Sequence, residues 1–205
     1  MDLARFSRTD RRASLAGRRE RAGDSGFSLL EVLFATSILT VAIVALAQLF
    51  AVSTRANTSA RATTFTAVLA QQKMEQLRSL TWGFDSLGLP LSDTSTDATA
   101  LAETPTGGKG LSPSPAGTLG ANTDGYCDFL DKGGLSLGGG TTPPTDTVYI
   151  RRWAVEPLPT NPNNTLVLQV LVTRSRNRGA ADTAVGTNRL PDEARIISVK
   201  TRKAT

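Results

Sequence analysis

Between Phe27 and Phe50 the chain is almost wholly apolar for 24 residues and carries one charged side chain, Glu31. As a helix this run spans roughly 36 Å at 1.5 Å per residue, enough to cross a hydrocarbon core of about 30 Å. A carboxylate near the centre of such a core costs about 2.5–3.5 kcal/mol on insertion scales. Glu31 therefore either serves a purpose or reaches the headgroups from the first turn. The uncharged polar residues of the run, Ser28, Thr36, Ser37, Thr40 and Gln48, can bond within the helix or to neighbouring helices.

The flank before the run is of opposite character. Residues 1–26 hold seven Arg and four acids, which is +3 of the chain's net +5. Without them the remainder carries only +2, so the basic balance belongs to the leader and nucleic acid is not indicated as a partner. Arginine beside an apolar run predicts a cytoplasmic N-terminus. Arg11-Arg12-Ala13-Ser14-Leu15 is similar to a twin-arginine signal, but the apolar run starts too far downstream for one.

The chain has no His and a single Cys, Cys127. The commonest general base and metal ligand is missing, and neither an intramolecular disulfide nor a thiolate metal cluster can form. No catalytic constellation stands out, so no enzyme activity, cofactor or metal is expected. Cys127 reads as a small buried residue within the apolar island Tyr126–Leu130.

At 205 residues there is room for one domain plus an appendage. No Gly or Pro occurs from Phe27 through Trp82, which predicts one helix from Phe27 to about Leu80, on the order of 80 Å long. Its first half, 27–52, is apolar all round and reads as transmembrane. Its second half, 53–82, is amphipathic, with Ala62, Phe65, Leu69, Leu77 and Leu80 on one face and Arg55, Arg61, Lys73 and Arg78 as polar surface. Gly83 is expected to end it, and the Gly/Thr/Pro-rich stretch 83–146 reads as a variable loop.

Residues 147–205 predict an antiparallel sheet of about three strands, centred on Val148–Val155, Leu166–Val172 and Ile196–Thr201. The turn at Pro157–Asn164 and a longer loop from Arg176 to Glu193 would connect them. Strict alternation puts Tyr149 and Trp153 on one core-facing side, while Arg151 and Arg152 read as solvated sheet edges. Lys200, Arg202 and Lys203 form a short basic tail. The expected class is α+β, with the amphipathic half of the helix covering one face of the sheet.

Gly26-Phe27-Ser28-Leu29-Leu30-Glu31 resembles the class III signal of type IV pilins and type II secretion pseudopilins. The long unbroken helix, the Gly/Thr-rich loop and the terminal strands extend the resemblance over the whole chain. Ala70-Gln71-Gln72-Lys73-Met74-Glu75-Gln76-Leu77-Arg78-Ser79, with Trp153, is similar to PilV-type minor pilins and the type II secretion minor pseudopilins. The resemblance implies a pilin-like fold and cleavage of leader 1–26 between Gly26 and Phe27 by a prepilin peptidase. It also implies N-methylation of Phe27 by the same peptidase/methyltransferase, and an assembly role for Glu31, which would meet the new amine of a neighbouring subunit.

The implied partners are other pilins or pseudopilins and the inner membrane, with the C-terminal domain periplasmic before it enters a filament. Absence of a mid-helix proline and of a disulfide departs from many major pilins and fits a minor subunit. Two other readings stay open. Ala45-Leu46-Ala47 before Gln48 could mark a removable secretory signal, and an uncleaved chain would be a single-pass protein displaying a ligand-binding domain.

Overall fold

The computed structural model describes residues 26–99, 104, 106–175 and 192–203. The expected leader 1–25, its twin-arginine-like pair and most of the 176–193 connection lie outside the described residues. The elements run in the order α1 (Leu29–Ser79), β1 (Trp82–Phe84), β2 (Pro90–Ser92), β3 (Cys127–Leu130), β4 (Ser136–Gly139), β5 (Tyr149–Pro157), β6 (Thr165–Arg174) and β7 (Ala194–Thr201). The protein is α+β, a long N-terminal helix packed on a small antiparallel sheet in a pilin-like arrangement. The chain divides into two compact units, Met1–Leu49 and Phe50–Thr205.

In the first unit the described residues are helical from Leu29 onward, and every side chain from Gly26 to Leu49 is exposed. This is the segment with the length and composition of a membrane span. In the second unit α1 buries Thr66, Leu69, Ala70, Lys73, Met74 and Leu77, a three–four spacing that keeps one face inward. Phe65 packs on Tyr149 with ring centroids 5.3 Å apart.

The main sheet has the order β4-β3-β5-β6-β7, all neighbours antiparallel, and β1 pairs with β2 in a separate hairpin. Alternation decides its two faces. Tyr149, Trp153 and Val155 of β5 join Leu166, Leu168, Val170 and Val172 of β6 in the core that also holds Leu69, Met74 and Leu77. Cys127, Phe129 and Ile150 form a second, smaller cluster. The expected core roles of Tyr149 and Trp153 and the buried state of Cys127 are as observed.

Several expectations need correction. The helix ends at Ser79, and Gly83 sits inside β1 rather than acting as the stop. Lys200 of β7 closes the helix instead, donating from Nζ to the carbonyls of Leu77 (3.4 Å), Leu80 (2.7 Å) and Arg78. Those carbonyls have no partner within the helix, and a cation there opposes the negative end of the helix dipole.

The stretch 83–146 is not a plain loop, because it supplies four strands and raises the main sheet from three to five. Pairing of β3 with β5 stops at Arg152, so the rest of the β5 edge needs other partners. Trp153 N donates to Tyr126 O at 3.0 Å, and Ser114 N donates to Val155 O at 2.9 Å. Glycine here reflects close backbone approach rather than slack. A Cβ on Gly108 would lie 2.2 Å from Asp97 Cα, and one on Gly139 would lie 2.7 Å from Cys127 O.

The basic tail is structural. Arg202 stacks on Trp82 at 3.6 Å and donates to Gly83 O, Leu91 O, Ser92 Oγ and Asn163 O. It thereby ties the β1–β2 hairpin to the β5–β6 turn.

Candidate functional site

Gly26, Phe27 and Ser28 precede the helix, and the carbonyl of Ser28 accepts the first helical hydrogen bond from Val32 N at 3.1 Å. No helix breaker enforces that start, since Phe27 through Trp82 contains neither Gly nor Pro. Phe27 is 84% exposed. Gly26 is exposed too, and a Cβ built on it would meet nothing within 4 Å. Nor does its φ fall in the left-handed region. Nothing among the described residues therefore demands glycine at this position.

Glu31 lies in the first turn of α1. There the positive end of the helix dipole favours a carboxylate by about 0.3–1 kcal/mol. Three hydroxyls in the following turns bond locally. Thr36 Oγ1 donates to Val32 O (2.9 Å), Ser37 Oγ to Leu33 O (2.8 Å) and Thr40 Oγ1 to Thr36 O (2.7 Å). Glu31 makes no hydrogen bond or ion pair among the described residues. Gly26, Phe27 and Glu31 thus fall at one helix start: an exposed bond after a glycine, then a carboxylate with no counter-charge among the described residues.

Sequence reasoning missed a second polar constellation, this one buried. Asp128 on β3 receives Arg151 Nε (2.9 Å to Oδ1) and Nη2 (2.7 Å to Oδ2), and Lys73 Nζ stands 3.0 Å from Oδ2. Lys73 is 1% exposed, donates to Ala98 O and sits 4.4 Å from the centroid of the Trp153 ring. Arg151 also donates to Leu69 O at 3.1 Å. Lys73 and Arg151, expected on the surface, are interior, and Arg152 is buried as well, donating to Asn122 Oδ1 at 3.0 Å.

The missed signal was available. Arg151 lies between Tyr149 and Trp153 on the same strand face, and Lys73 lies between Leu69 and Leu77 on the same helix face. The physical role is to join α1, β3 and β5 around one carboxylate, because a buried charge persists only when paired. The group offers cations and an ionised acid already engaged with each other. It presents no nucleophile and base to a substrate.

Two pKa directions follow from geometry elsewhere. Burial pushes the Lys200 ammonium below its ordinary 10.5, and the positive charges of Lys203 and Arg78 push the same way. Burial works to raise the Asp93 carboxyl, but hydrogen bonds from Thr96 Oγ1 and the amides of Thr96 and Ser95 outweigh it and hold it below 3.8. Among the described residues no group of three or more His, Cys, Asp or Glu side chains could hold a metal ion.

What the chain shares with pilins is its arrangement, one long apolar N-terminal helix packed on a small antiparallel sheet. Compared with known protein families, curated proteins and solved structures, the chain matches none.

Proposed function

We propose that this chain is a structural, non-catalytic minor subunit of a type IV pilus, acting in assembly initiation or at the tip. A prepilin peptidase cuts between Gly26 and Phe27 and methylates the new amine. Because the cut precedes the apolar run, the membrane anchor survives it, and the C-terminal domain faces the periplasm until assembly. The observation that carries this reading is Glu31. It is the fifth residue from the cut, and the hydroxyls of Thr36, Ser37 and Thr40 are satisfied within the helix while it is not.

Cleavage creates an ammonium at Phe27. In a filament the helices leave lipid for one another, and Glu31 of one subunit meets the amine of the next. Pairing offsets a burial that neither charge could sustain alone, and its main consequence is axial register rather than net stability. The expendable glycine geometry at 26 supports the same reading, since a narrow peptidase cleft requires a residue without a side chain.

N-terminal sequencing of the mature protein tests the cut: a start at Phe27 supports it and a start at Gln48 ends it. Glu31→Ala, expressed in the native host, tests the charge. The mature protein should accumulate in the membrane and its incorporation into filaments should fall by roughly tenfold or more, the scale of one lost charge pair. Unchanged incorporation would remove the assembly role.

A further inference from the structure

We propose that residues 53–64 of α1 form a joint, a stretch of helix that opens to coil and recloses while the helix on either side stays intact. Among the described residues this stretch receives almost no cover. Every side chain from Ser53 to Thr64 is exposed except Ala62, which is half-buried, and the first buried residue of α1 is Thr66. Most helical stability in a protein comes from packing one face against a neighbour, and an unpacked helix of this length is marginal in water.

Composition deepens the deficit. Thr, Ser and Asn fill seven of the twelve positions, and all three form helix less readily than Ala. Thr58 Oγ1 donates to Thr54 O at 2.9 Å, Thr63 Oγ1 to Ser59 O at 3.0 Å and Thr64 Oγ1 to Ala60 O at 3.0 Å. Such bonds back to the preceding turn weaken and bend a helix. No Asp or Glu occurs from Val32 through Met74, so Arg55 and Arg61 cannot form the i,i+4 ion pairs that support an exposed helix.

The borders are firm for two different reasons. Upstream, the apolar run has the composition of a membrane span, and lipid offers no water to replace a broken backbone bond. Downstream, Thr66, Leu69, Ala70 and Lys73 are buried, and Phe65 packs on Tyr149. Opening is therefore confined to the stretch between. Closed, it spans about 18 Å; fully extended, it reaches roughly 40 Å. The joint lets the chain lengthen there without breaking a contact of the core.

The test uses the full chain in lipid nanodiscs, with hydrogen exchange read by mass spectrometry. Amides of residues 57–64, whose helical bonds lie wholly within the joint, should exchange at least about 100-fold faster than those of residues 67–78. Replacing Thr54, Thr58, Thr63 and Thr64 together by Ala should slow exchange at 57–64 by on the order of 50-fold, two- to threefold for each residue. Exchange at 67–78 should not change, which also shows that the variant folds. Trypsin supplies a second reading, because cleavage requires an opened chain and its rate follows the open population. It should cut after Arg55 or Arg61 well before Lys73 or Arg78, and the Ala variant should resist those cuts by a similar factor.

The proposal is overturned if residues 57–64 exchange within tenfold of residues 67–78. It is equally overturned if the fourfold Ala variant exchanges as fast as the parent, or if trypsin cuts at Lys73 or Arg78 as early as at Arg55 and Arg61. Neither cleavage after Gly26 nor the role of Glu31 enters these outcomes.

Discussion

In residues 27–49 every side chain is exposed, and the hydroxyls of Thr36, Ser37 and Thr40 bond back to carbonyls of the preceding turn. In residues 50–205 the polar side chains of greatest consequence are buried and bond across long stretches of sequence, Arg151 to Asp128 and to Leu69, Lys73 to Ala98. The first region bonds these hydroxyls locally and leaves one carboxylate, Glu31, without a partner among the described residues. The second pairs its polar groups by folding. Charge in the second region therefore concerns stability, while under the proposed function the one carboxylate of the first concerns assembly.

The sharpest way to break this contrast is Asp128→Ala. It leaves Lys73 and Arg151 buried without their anion and should cost about 3–5 kcal/mol in denaturant unfolding. Lys73→Met is the companion. It keeps the Arg151–Asp128 pair and fills the same space, so a loss below about 2 kcal/mol is expected. If the two variants cost the same, Asp128 is not the centre of the cluster.

Next in size is Arg202→Ala, which removes the stack on Trp82 and four hydrogen bonds. A loss of about 2–4 kcal/mol by thermal unfolding is expected. An effect near zero would return this residue to the status of a solvated tail.

Smaller still is the acid response of Asp93. Its folded carboxyl lies below the ordinary 3.8, so it contributes stability above that value and loses it as pH falls toward the folded pKa. Asp93→Asn should therefore show a shallower loss of stability in acid than the parent chain, read by unfolding across an acid pH series. The smallest effect belongs to Thr36→Val in the apolar region. Its hydroxyl is already satisfied by its own helix, so membrane insertion should change by less than about 0.5 kcal/mol. A large effect there would mean that the hydroxyl has a second partner.

Much of the helix and half of the sheet were legible beforehand. Unbroken helix-forming sequence predicted α1 to within a residue or two, and period-two alternation at Leu166, Leu168, Val170 and Val172 predicted β6 with the correct buried face. The four strands between Trp82 and Gly139 were not legible. Gly, Thr and Pro there look like loop composition, yet Gly108 and Gly139 are required by backbone contacts with residues distant in sequence. Charged residues misled for a related reason. Arg151 and Lys73 were read by their charge, although their positions on the strand and helix already placed them inward.

By itself the sequence determined the apolar run, the carboxylate within it and the glycine before it, because helix length, hydropathy and the absence of breakers are local properties. The tertiary structure alone decided that Asp128 gathers Lys73 and Arg151, that Lys200 closes the helix, and that β3 and β4 widen the sheet. Those outcomes depend on which backbone and side-chain groups are left without partners once the chain collapses. No window of neighbouring residues contains that information, since each partner comes from a separate part of the chain.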